Sequence, residues 1–200
     1  MFERWMGRHS AEEQSDAELH RDALGGSREA MATLYRRHGS LVYRFTLRMS
    51  GDASIAEEVT QEVFLALLRQ LARFDPQRAS LATWLCGIAR RQLWKHLGRL
   101  GEVSTADAED GSAEIESSAD SPATWLIRRE AVDLVRLGVE ELPPQFKEVI
   151  VLCEFEEMSY EQVAVILEIP VGTVRSRLHR AKARLAKILC ADAVGRGGER

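Results

Sequence analysis

The chain is poor in the residues that build disulfide frameworks, metal sites and many active sites. Its 200 residues include three cysteines, and neither a Cys-X-X-Cys pair nor a neighbouring pair of histidines accompanies them. Neither a disulfide framework nor a zinc site is therefore predicted. The five histidines are widely spaced, and the sequence has no phosphate-cradling P-loop and no His-Glu-X-X-His motif. We accordingly predict no catalytic residue, metal or cofactor, and a nucleic-acid-processing enzyme is the weakest class of function considered.

Long hydrophobic runs are missing as well. The apolar stretches fall well short of the ~20 residues that a membrane-spanning helix needs, and the first ten residues lack the apolar core of a signal peptide. We therefore expect a cytoplasmic protein without membrane insertion. With 45% hydrophobic and 29% charged residues, the chain can still form one ordinary globular domain or two small ones.

Charge of one sign is missing from three parts of the chain. Residues 76–101 and 171–190 contain no acidic residue, although both are rich in arginine and lysine. Residues 101–127 are the reverse, since they are rich in Asp and Glu and contain no Lys or Arg. The formal net charge of −4 hides this segregation and does not argue against a nucleic-acid partner. The sequence thus predicts two basic modules separated by an acidic tether.

The apolar pattern predicts an all-α protein made of two small helical domains. No stretch shows the sustained period-two alternation of a strand. The acidic tether lacks helical periodicity and is rich in Ser, Ala, Gly and Asp, which favours a flexible linker. The predicted parts are a loose N-terminal segment (1–18), a first domain (19–99), the linker (100–122), a second domain (123–190) and a C-terminal tail (191–200).

Capping and turn signals predict where the helices begin and end. A short helix is predicted to end near Gly25, and Ser54 with Glu57 is predicted to form a capping box that starts a longer one. Pro144 is predicted to open a helix, because proline suits the first helical turn. Further helices are predicted over about 27–49, with a bend near Gly39, over about 80–97 and over about 123–137.

Residues 158–189 carry the densest functional signal. Ser159 and Gln162 are predicted to form a capping box, and the helix that they start turns apolar residues toward a core. A break over 169–172 precedes a second helix from about Thr173. This is the layout of a helix-turn-helix, whose second helix enters the major groove of duplex DNA.

The second helix of this motif has one apolar and one polar face. Val174, Leu178, Ala181 and Leu185 are spaced i, i+4, i+7 and i+11 and should face inward. Arginines near the helix start can bind guanine O6 and N7, whereas later basic residues meet phosphates. The alternative is a solvated basic surface. The residues predicted to contact duplex DNA are Thr173, Arg175, Ser176, Arg177, His179, Arg180 and Lys182.

These residues resemble a known family. EEMSYEQVAVILEIPVGTVRSRLHRAKARL is similar to region 4 of the extracytoplasmic-function (ECF) sigma factors, with Gly172 to Lys182 as the specific core, and LuxR-type regulators share a looser form. Residues 56–64, AEEVTQEVF, are similar to region 2.2, which binds the clamp coiled coil of the polymerase β′ subunit. Residues 73–91, RFDPQRASLATWLCGIARR, are similar to regions 2.3 and 2.4, which read and open the minus-10 element.

The resemblance implies an RNA polymerase sigma factor that directs core polymerase to specific promoters, with duplex contacts at the minus-35 element. It also implies binding to the β flap and control by an anti-sigma factor. The alternative hypothesis is a LuxR-type regulator that is not part of the polymerase. The implied polymerase-binding residues are Glu57, Glu58, Gln61, Glu62 and Phe64. The implied minus-10 residues are Phe74, Arg78, Ser80, Trp84, Arg90, Arg91, Trp94 and Lys95.

Elementary chemistry supports this assignment of the first domain. An open promoter needs cations for the separated strand and surfaces for unstacked bases, and the basic block from Arg78 onward supplies the cations. Trp94 is a candidate for base stacking, with core or interface packing as the alternative, and packing is favoured for Trp84. Arg91 and Lys95 replace the Asn and Asp that are usual in the family, and both changes favour affinity for the strand.

Overall fold

A computed structural model describes residues 14–101 and 132–197 of the chain. The chain divides into two compact units, Met1–Ala108 and Glu109–Arg200. Within the described ranges every regular element is a helix and no strand occurs, which confirms the predicted all-α fold class. None of the helices described there is long and apolar enough to span a bilayer.

Two of the predicted segments fall largely outside these ranges. The linker predicted over 100–122 lies outside the described residues from residue 102 onward. The helix predicted over about 123–137 is described only from residue 132.

The first unit is built from helices joined by short turns. Its first helix begins inside the segment predicted to be loose, because Ser15 and Glu18 close a capping box ahead of it. The Ser15 hydroxyl accepts the Glu18 N–H at 3.3 Å, and the Glu18 carboxylate accepts the Ser15 N–H at 2.7 Å. The elements are α1 (Asp16–Leu24), α2 (Arg28–Ser50), α3 (Ala53–Gln70), a 3-10 turn (Leu71–Arg73) and α4 (Leu81–Gly101).

The capping box predicted for Ser54 and Glu57 is wrong. Asp52 caps α3 instead, and its carboxylate accepts the backbone N–H of Ser54 at 2.7 Å and of Ile55 at 3.1 Å. The residue that caps a helix must itself be non-helical. Gly51 provides this by ending α2 in the left-handed region, at φ 74°, which leaves Asp52 extended and Ser54 already inside the helix.

The core of the first unit lies between α2, α3 and α4. Phe45, Val59, Val63, Leu85 and Leu93 are each fully buried there. Burial of such a side chain stabilises the fold by about 1.5–3 kcal/mol, so these residues contribute strongly to the stability of the unit. The helix α2 passes without interruption through position 39, where the sequence predicted a bend.

A charged cluster joins α1 to α2. The Asp16 carboxylate accepts a hydrogen bond from Nε2 of the buried His38 at 2.8 Å and another from Arg37 at 2.6 Å. The hydrogen bond from His38, reinforced by Arg37, lowers the pKa of Asp16 although partial burial acts in the opposite direction. The cluster therefore keeps the Asp16 carboxylate ionised at the first residue of α1, where it bonds to α2.

The second unit contains the helix-turn-helix. The capping box of Ser159 and Gln162 is confirmed, with N–H···O distances of 2.9 and 3.3 Å. Pro144 opens its helix as predicted. The elements are α5 (132–140), α6 (Pro144–Ile150), a π-helical segment (Val151–Phe155), α7 (Tyr160–Leu167) and α8 (Val171–Gly197).

The helix α8 begins two residues earlier than the sequence predicted and runs past residue 190, where the second domain was predicted to end. The Pro170 carbonyl accepts the N–H of Thr173 at 2.8 Å and of Val174 at 3.1 Å, which starts the helix at Val171. The inward stripe is confirmed in Val174, Leu178 and Ala181, which are buried, while Leu185 is half-buried.

Candidate nucleic-acid interface

The outward face of α8 carries the residues predicted to read duplex DNA. Arg175, Ser176, His179 and Arg180 are exposed near the start of the helix, on the sides away from the buried stripe. Thr173 and Arg177 are half-buried beside them. The helix therefore presents donors and a short polar side chain where base edges meet a recognition helix. The Ser176 hydroxyl donates to the Thr173 carbonyl at 3.1 Å, so its oxygen remains an acceptor.

One flank of this face is engaged by neighbouring side chains. The Arg175 guanidinium lies 5.7 Å from the centre of the Tyr160 ring, which orients it by a cation–π contact. The Lys182 ammonium lies 2.9 Å from Oε1 of Glu154, and this hydrogen bond raises the pKa of Lys182. Lys182 was predicted to contact DNA, and its charge is already paired within the domain.

The second basic face lies on α4. Trp84, Arg91 and Lys95 are spaced i, i+7 and i+11 and share one side of the helix. Arg91 and Lys95 are exposed, whereas Trp84, Arg90 and Trp94 are half-buried. A guanidinium nitrogen of Arg91 lies 3.7 Å from the position that a Cβ atom would occupy at Gly87, so the arginine side chain lies over this glycine.

The loop before α4 has a buried base and an exposed tip. Phe74, predicted as a DNA contact, is only 6% exposed and packs against the Trp84 ring with 5.4 Å between ring centres. Asp75 shapes the tip, where its carboxylate accepts the Gln77 N–H at 2.9 Å. The Arg78 side chain is 87% exposed, with its Nε 3.7 Å from the Asp75 carboxylate, so it is accessible from solvent whereas Phe74 is buried.

Ser80 closes the loop as the cap of α4. Its hydroxyl accepts the Thr83 N–H at 3.2 Å and lies 2.8 Å from the Thr83 hydroxyl. Ser80 is exposed, but its side chain is part of the helix start. The structure therefore gives Ser80 a local task that the sequence motif did not reveal.

The outer face of α3 combines polar groups with exposed leucines. Glu57, Glu58 and Gln61, which were predicted to bind polymerase, are exposed, and Glu62 is half-buried. Phe64, predicted to belong to this face, is buried and packs edge-on against the Tyr35 ring, with 4.7 Å between ring centres.

Two residues of this face were missed by the sequence analysis. Leu65 and Leu68 are 49% and 54% exposed. With Glu58 and Gln61 they are spaced i, i+3, i+7 and i+10, so helical periodicity places all four on one side. This spacing was the signal that could have found them, and large exposed apolar side chains inside a polar rim are typical of a protein interface.

The part of the chain that the structure describes shows no cluster of His, Cys, Asp and Glu arranged to hold a metal ion. The Cys153 thiol is not activated, because burial raises its pKa to about 11.

Fold and faces define an all-helical DNA-binding protein with a helix-turn-helix domain and a second basic domain. The family model for Sigma-70 region 2 matches residues 34–102, and the model for Sigma-70, region 4 matches residues 133–185. A LuxR-type regulator would leave the first of these matches unexplained. The comparisons favour a sigma factor over that alternative.

Relatives that match most of the chain point the same way. The RNA polymerase sigma-H factor of Pseudomonas aeruginosa is 31% identical over 185 residues, which cover 88% of this chain and 95% of that protein. The ECF RNA polymerase sigma factor SigE of Mycolicibacterium smegmatis is 31% identical over 157 residues, covering 78% of this chain and 60% of that one. The chain belongs to the sigma-70 family of RNA polymerase sigma factors, in its ECF group.

A solved structure shows the same fold. The sigma factor RpoE of Bartonella quintana, solved in complex with the anti-sigma factor NepR, superposes with a TM-score of 0.64 at 21% identity. The match covers 80% of this chain and 97% of that one. Sigma factors are transcription initiation subunits of RNA polymerase.

Proposed function

We propose that this chain directs core RNA polymerase to specific promoters through three faces. The α8 face reads the minus-35 duplex, the loop 74–80 with α4 holds the minus-10 strand, and the α3 face binds the β′ clamp coiled coil. The observation that carries the proposal is the presence of two exposed basic faces, one on the regular helix α8 and one around the turn before α4, which has an aromatic base.

At minus-35 the chemistry is that of groove readout. Arg180 and Arg175 supply the two-pronged donors that match guanine O6 and N7, and His179 and Ser176 supply smaller contacts. Thr173 and Arg177 flank these groups at the helix start, where phosphates fix the position of a recognition helix. A good two-pronged contact discriminates against the wrong base by about 1–3 kcal/mol.

At minus-10 the chemistry is that of an unpaired strand. Extruding a base costs a few kcal/mol, and stacking on an aromatic ring recovers about 1–3 kcal/mol per base. Arg78, Arg91 and Lys95 are the exposed cations for the strand, and Arg90 and Trp94 lie beside them as a second row. Phe74, Trp84 and Ser80 support the loop and the helix start rather than touch bases.

The polymerase face follows the anatomy of ordinary protein interfaces. Leu65 and Leu68 are its apolar anchors, and Glu57, Glu58, Gln61 and Glu62 form its polar rim. Phe64 supports the face from beneath. The second domain contacts the β flap, which brings α8 to the upstream duplex.

An anti-sigma factor is the expected regulator of this chain. RpoE of Bartonella quintana, which shares the fold, is bound by such a protein. The exposed apolar and basic faces described above offer one partner both hydrophobic and electrostatic contacts. Such a partner would hold the sigma factor inactive in the cytoplasm, and the chain itself catalyses no reaction.

Transcription from a template library tests the proposal. The purified chain is added to core polymerase with linear templates that carry random upstream sequence, and the 5′ ends of the transcripts are sequenced. We expect transcripts that begin at defined positions downstream of one shared pair of elements. The proposal fails if the chain adds no defined start sites to those of core polymerase alone.

A variant of the α3 face adds a matched control. Leu65→Asp with Leu68→Asp should abolish both the transcripts and co-purification with core polymerase, because the two side chains are exposed and their loss leaves the core intact. Leu24→Asp makes the same kind of substitution, with one added negative charge instead of two, at a similarly exposed leucine of α1 (48% accessible) and should leave both readouts unchanged. Equal losses in both variants would remove the α3 face from the proposal.

A further inference from the structure

A buried histidine connects the first helix to the loop that precedes α4. His20 lies on α1, ahead of the residues matched by the region 2 family, and is 6% exposed. Its Nε2 lies 2.7 Å from the carbonyl oxygen of Leu71, a residue 51 positions further along the chain. The same ring stands nearly perpendicular to the Phe74 ring, with 5.0 Å between ring centres and 84° between the planes.

The chemistry of the carbonyl fixes the role of the histidine. A carbonyl oxygen only accepts, so Nε2 of His20 carries the proton and donates it. The Leu71 carbonyl also accepts the Phe74 N–H at 3.3 Å. This buried carbonyl therefore accepts two hydrogen bonds, one from His20 on α1 and one from the first residue of the loop. A side chain without a donor at position 20 would leave the carbonyl with one hydrogen-bond partner.

The contacts continue across the base of the loop. The Phe74 ring packs on the Trp84 ring, and the backbone N–H of Trp84 donates to the Ser80 carbonyl at 3.0 Å in the first turn of α4. His20, Phe74 and Trp84 thus form a row of rings beneath the loop. This row fixes Phe74, the first residue of the loop, directly. It fixes Ser80, the last residue, through the first turn of α4.

We propose that His20 is a positioning residue for promoter opening, which sets the loop 74–80 for capture of the minus-10 strand. It acts through Leu71 and Phe74 and touches no DNA itself. This inference rests on the proposed role of the loop. It adds a residue that the region 2 and region 4 motifs do not include.

Three variants at one position separate the two contacts of the histidine. His20→Gln keeps an N–H donor, His20→Phe keeps a ring edge without the donor, and His20→Ala removes both. Each is assembled into holoenzyme, and open complexes are measured by permanganate reactivity of minus-10 thymines on a duplex promoter. We expect about a tenfold loss for His20→Phe, a larger loss for His20→Ala and recovery to within about threefold for His20→Gln. Co-purification with core polymerase should stay within about twofold.

Val42→Ala serves as the control for lost stability. Val42 is fully buried in the same unit, on α2. A merely structural role of His20 predicts that opening falls in proportion to Tm in all variants, Val42→Ala included, and that result would overturn the inference. If His20→Ala does not fold, the contrast between His20→Gln and His20→Phe decides the outcome.

Arg78→Ala with Lys95→Ala distinguishes the inference from the proposal on which it rests. Normal opening in this double variant would refute the role of the loop and its basic face. A loss of opening there, together with normal opening in His20→Phe and His20→Ala, would refute the positioning role alone.

Discussion

The two DNA-facing regions are held in place by contacts of different range. On α8 the orienting contacts come from the same helix-turn-helix and the segment just before it, namely Tyr160 against Arg175 and Glu154 against Lys182. In the first unit the loop before α4 depends on His20, which is 51 residues from its carbonyl partner. The duplex-reading face is therefore a property of one helix and its neighbour, whereas the strand-holding face is a property of the packing of a whole domain.

This difference has an energetic consequence. A helix side chain that reads a base loses its own contact and little else when it is truncated. A residue that supports a loop by long-range packing changes the position of every group on that loop. Substitutions on α8 should thus alter specificity one base at a time, while substitutions beneath the loop should alter opening at all promoters alike.

The largest expected effect concerns specificity at minus-35. Arg180→Ala should cost about 1–3 kcal/mol of discrimination at a single base pair, because a two-pronged contact to guanine is lost. Competition between holoenzyme binding to the preferred duplex and to its single-base variants measures this difference. The loss should be confined to one position of the element.

Lys187→Ala is the matched control on the same helix. Lys187 is exposed further along α8, where a cation meets phosphates rather than base edges. Its removal should weaken binding to all sequences equally. If Arg180→Ala also weakens all sequences equally, the assignment of Arg180 to a base is wrong. The comparison of α8 with the loop before α4 would then lose its evidence for base readout.

Helix caps give an effect of about 1 kcal/mol. Asp52→Ala should lower the free energy of unfolding by about 0.5–2 kcal/mol, since its carboxylate caps two N–H groups of α3, and Ser159→Ala should cost a similar amount through α7. Ser54→Ala should change it by less than about 0.5 kcal/mol, because Ser54 is exposed and lies inside the helix. Urea unfolding of the full chain measures all three.

These three variants also test whether the helix starts in the two units depend equally on residues a few positions away in the sequence. If Ser54→Ala were as costly as Asp52→Ala, the capping box predicted from the sequence would be restored and Asp52 would not be the cap of α3. If Ser159→Ala were neutral, the reciprocal bonds with Gln162 would not contribute to stability.

The second unit was the more predictable from sequence, and the range of its contacts explains why. The capping box at Ser159, the opening of α6 at Pro144 and the inward stripe beginning at Val174 depend on residues a few positions apart, so a linear pattern contains them. The early start at Val171 was missed because Pro170 accepts two N–H groups, which the pattern of apolar residues does not reveal.

The candidate site in the first unit was less predictable. Phe74 and Phe64 were assigned to binding faces by their positions in motifs, and the structure buries both against rings from other elements. Whether an aromatic side chain is exposed depends on what packs over it, and His20 and Tyr35 are distant in sequence. Leu65 and Leu68 show the reverse case, since helical spacing alone would have placed them beside Gln61.

The smallest expected effect concerns the pair that Lys182 forms with Glu154. Both side chains are about half-exposed, so solvent screening keeps the interaction of this pair weak. Glu154→Gln keeps the shape of the side chain and releases the ammonium for a phosphate. Affinity of the full chain for minus-35 duplex should rise by up to about fivefold at low salt, and the slope of log affinity against log salt should become steeper by about one.

Glu157→Gln controls for the change in net charge. Glu157 is exposed and lies just before the capping box of Ser159 at the start of α7. Its replacement by Gln removes one negative charge, as Glu154→Gln does. It should raise affinity less and leave the slope unchanged, because it releases no cation toward DNA. Equal slopes in the two variants would show that net charge, not the local pair, sets the affinity of α8. In that case the local contacts of the helix-turn-helix would orient its side chains but would not change the number of phosphates that it neutralises. High salt screens exposed charges and would remove the gain in affinity of both variants.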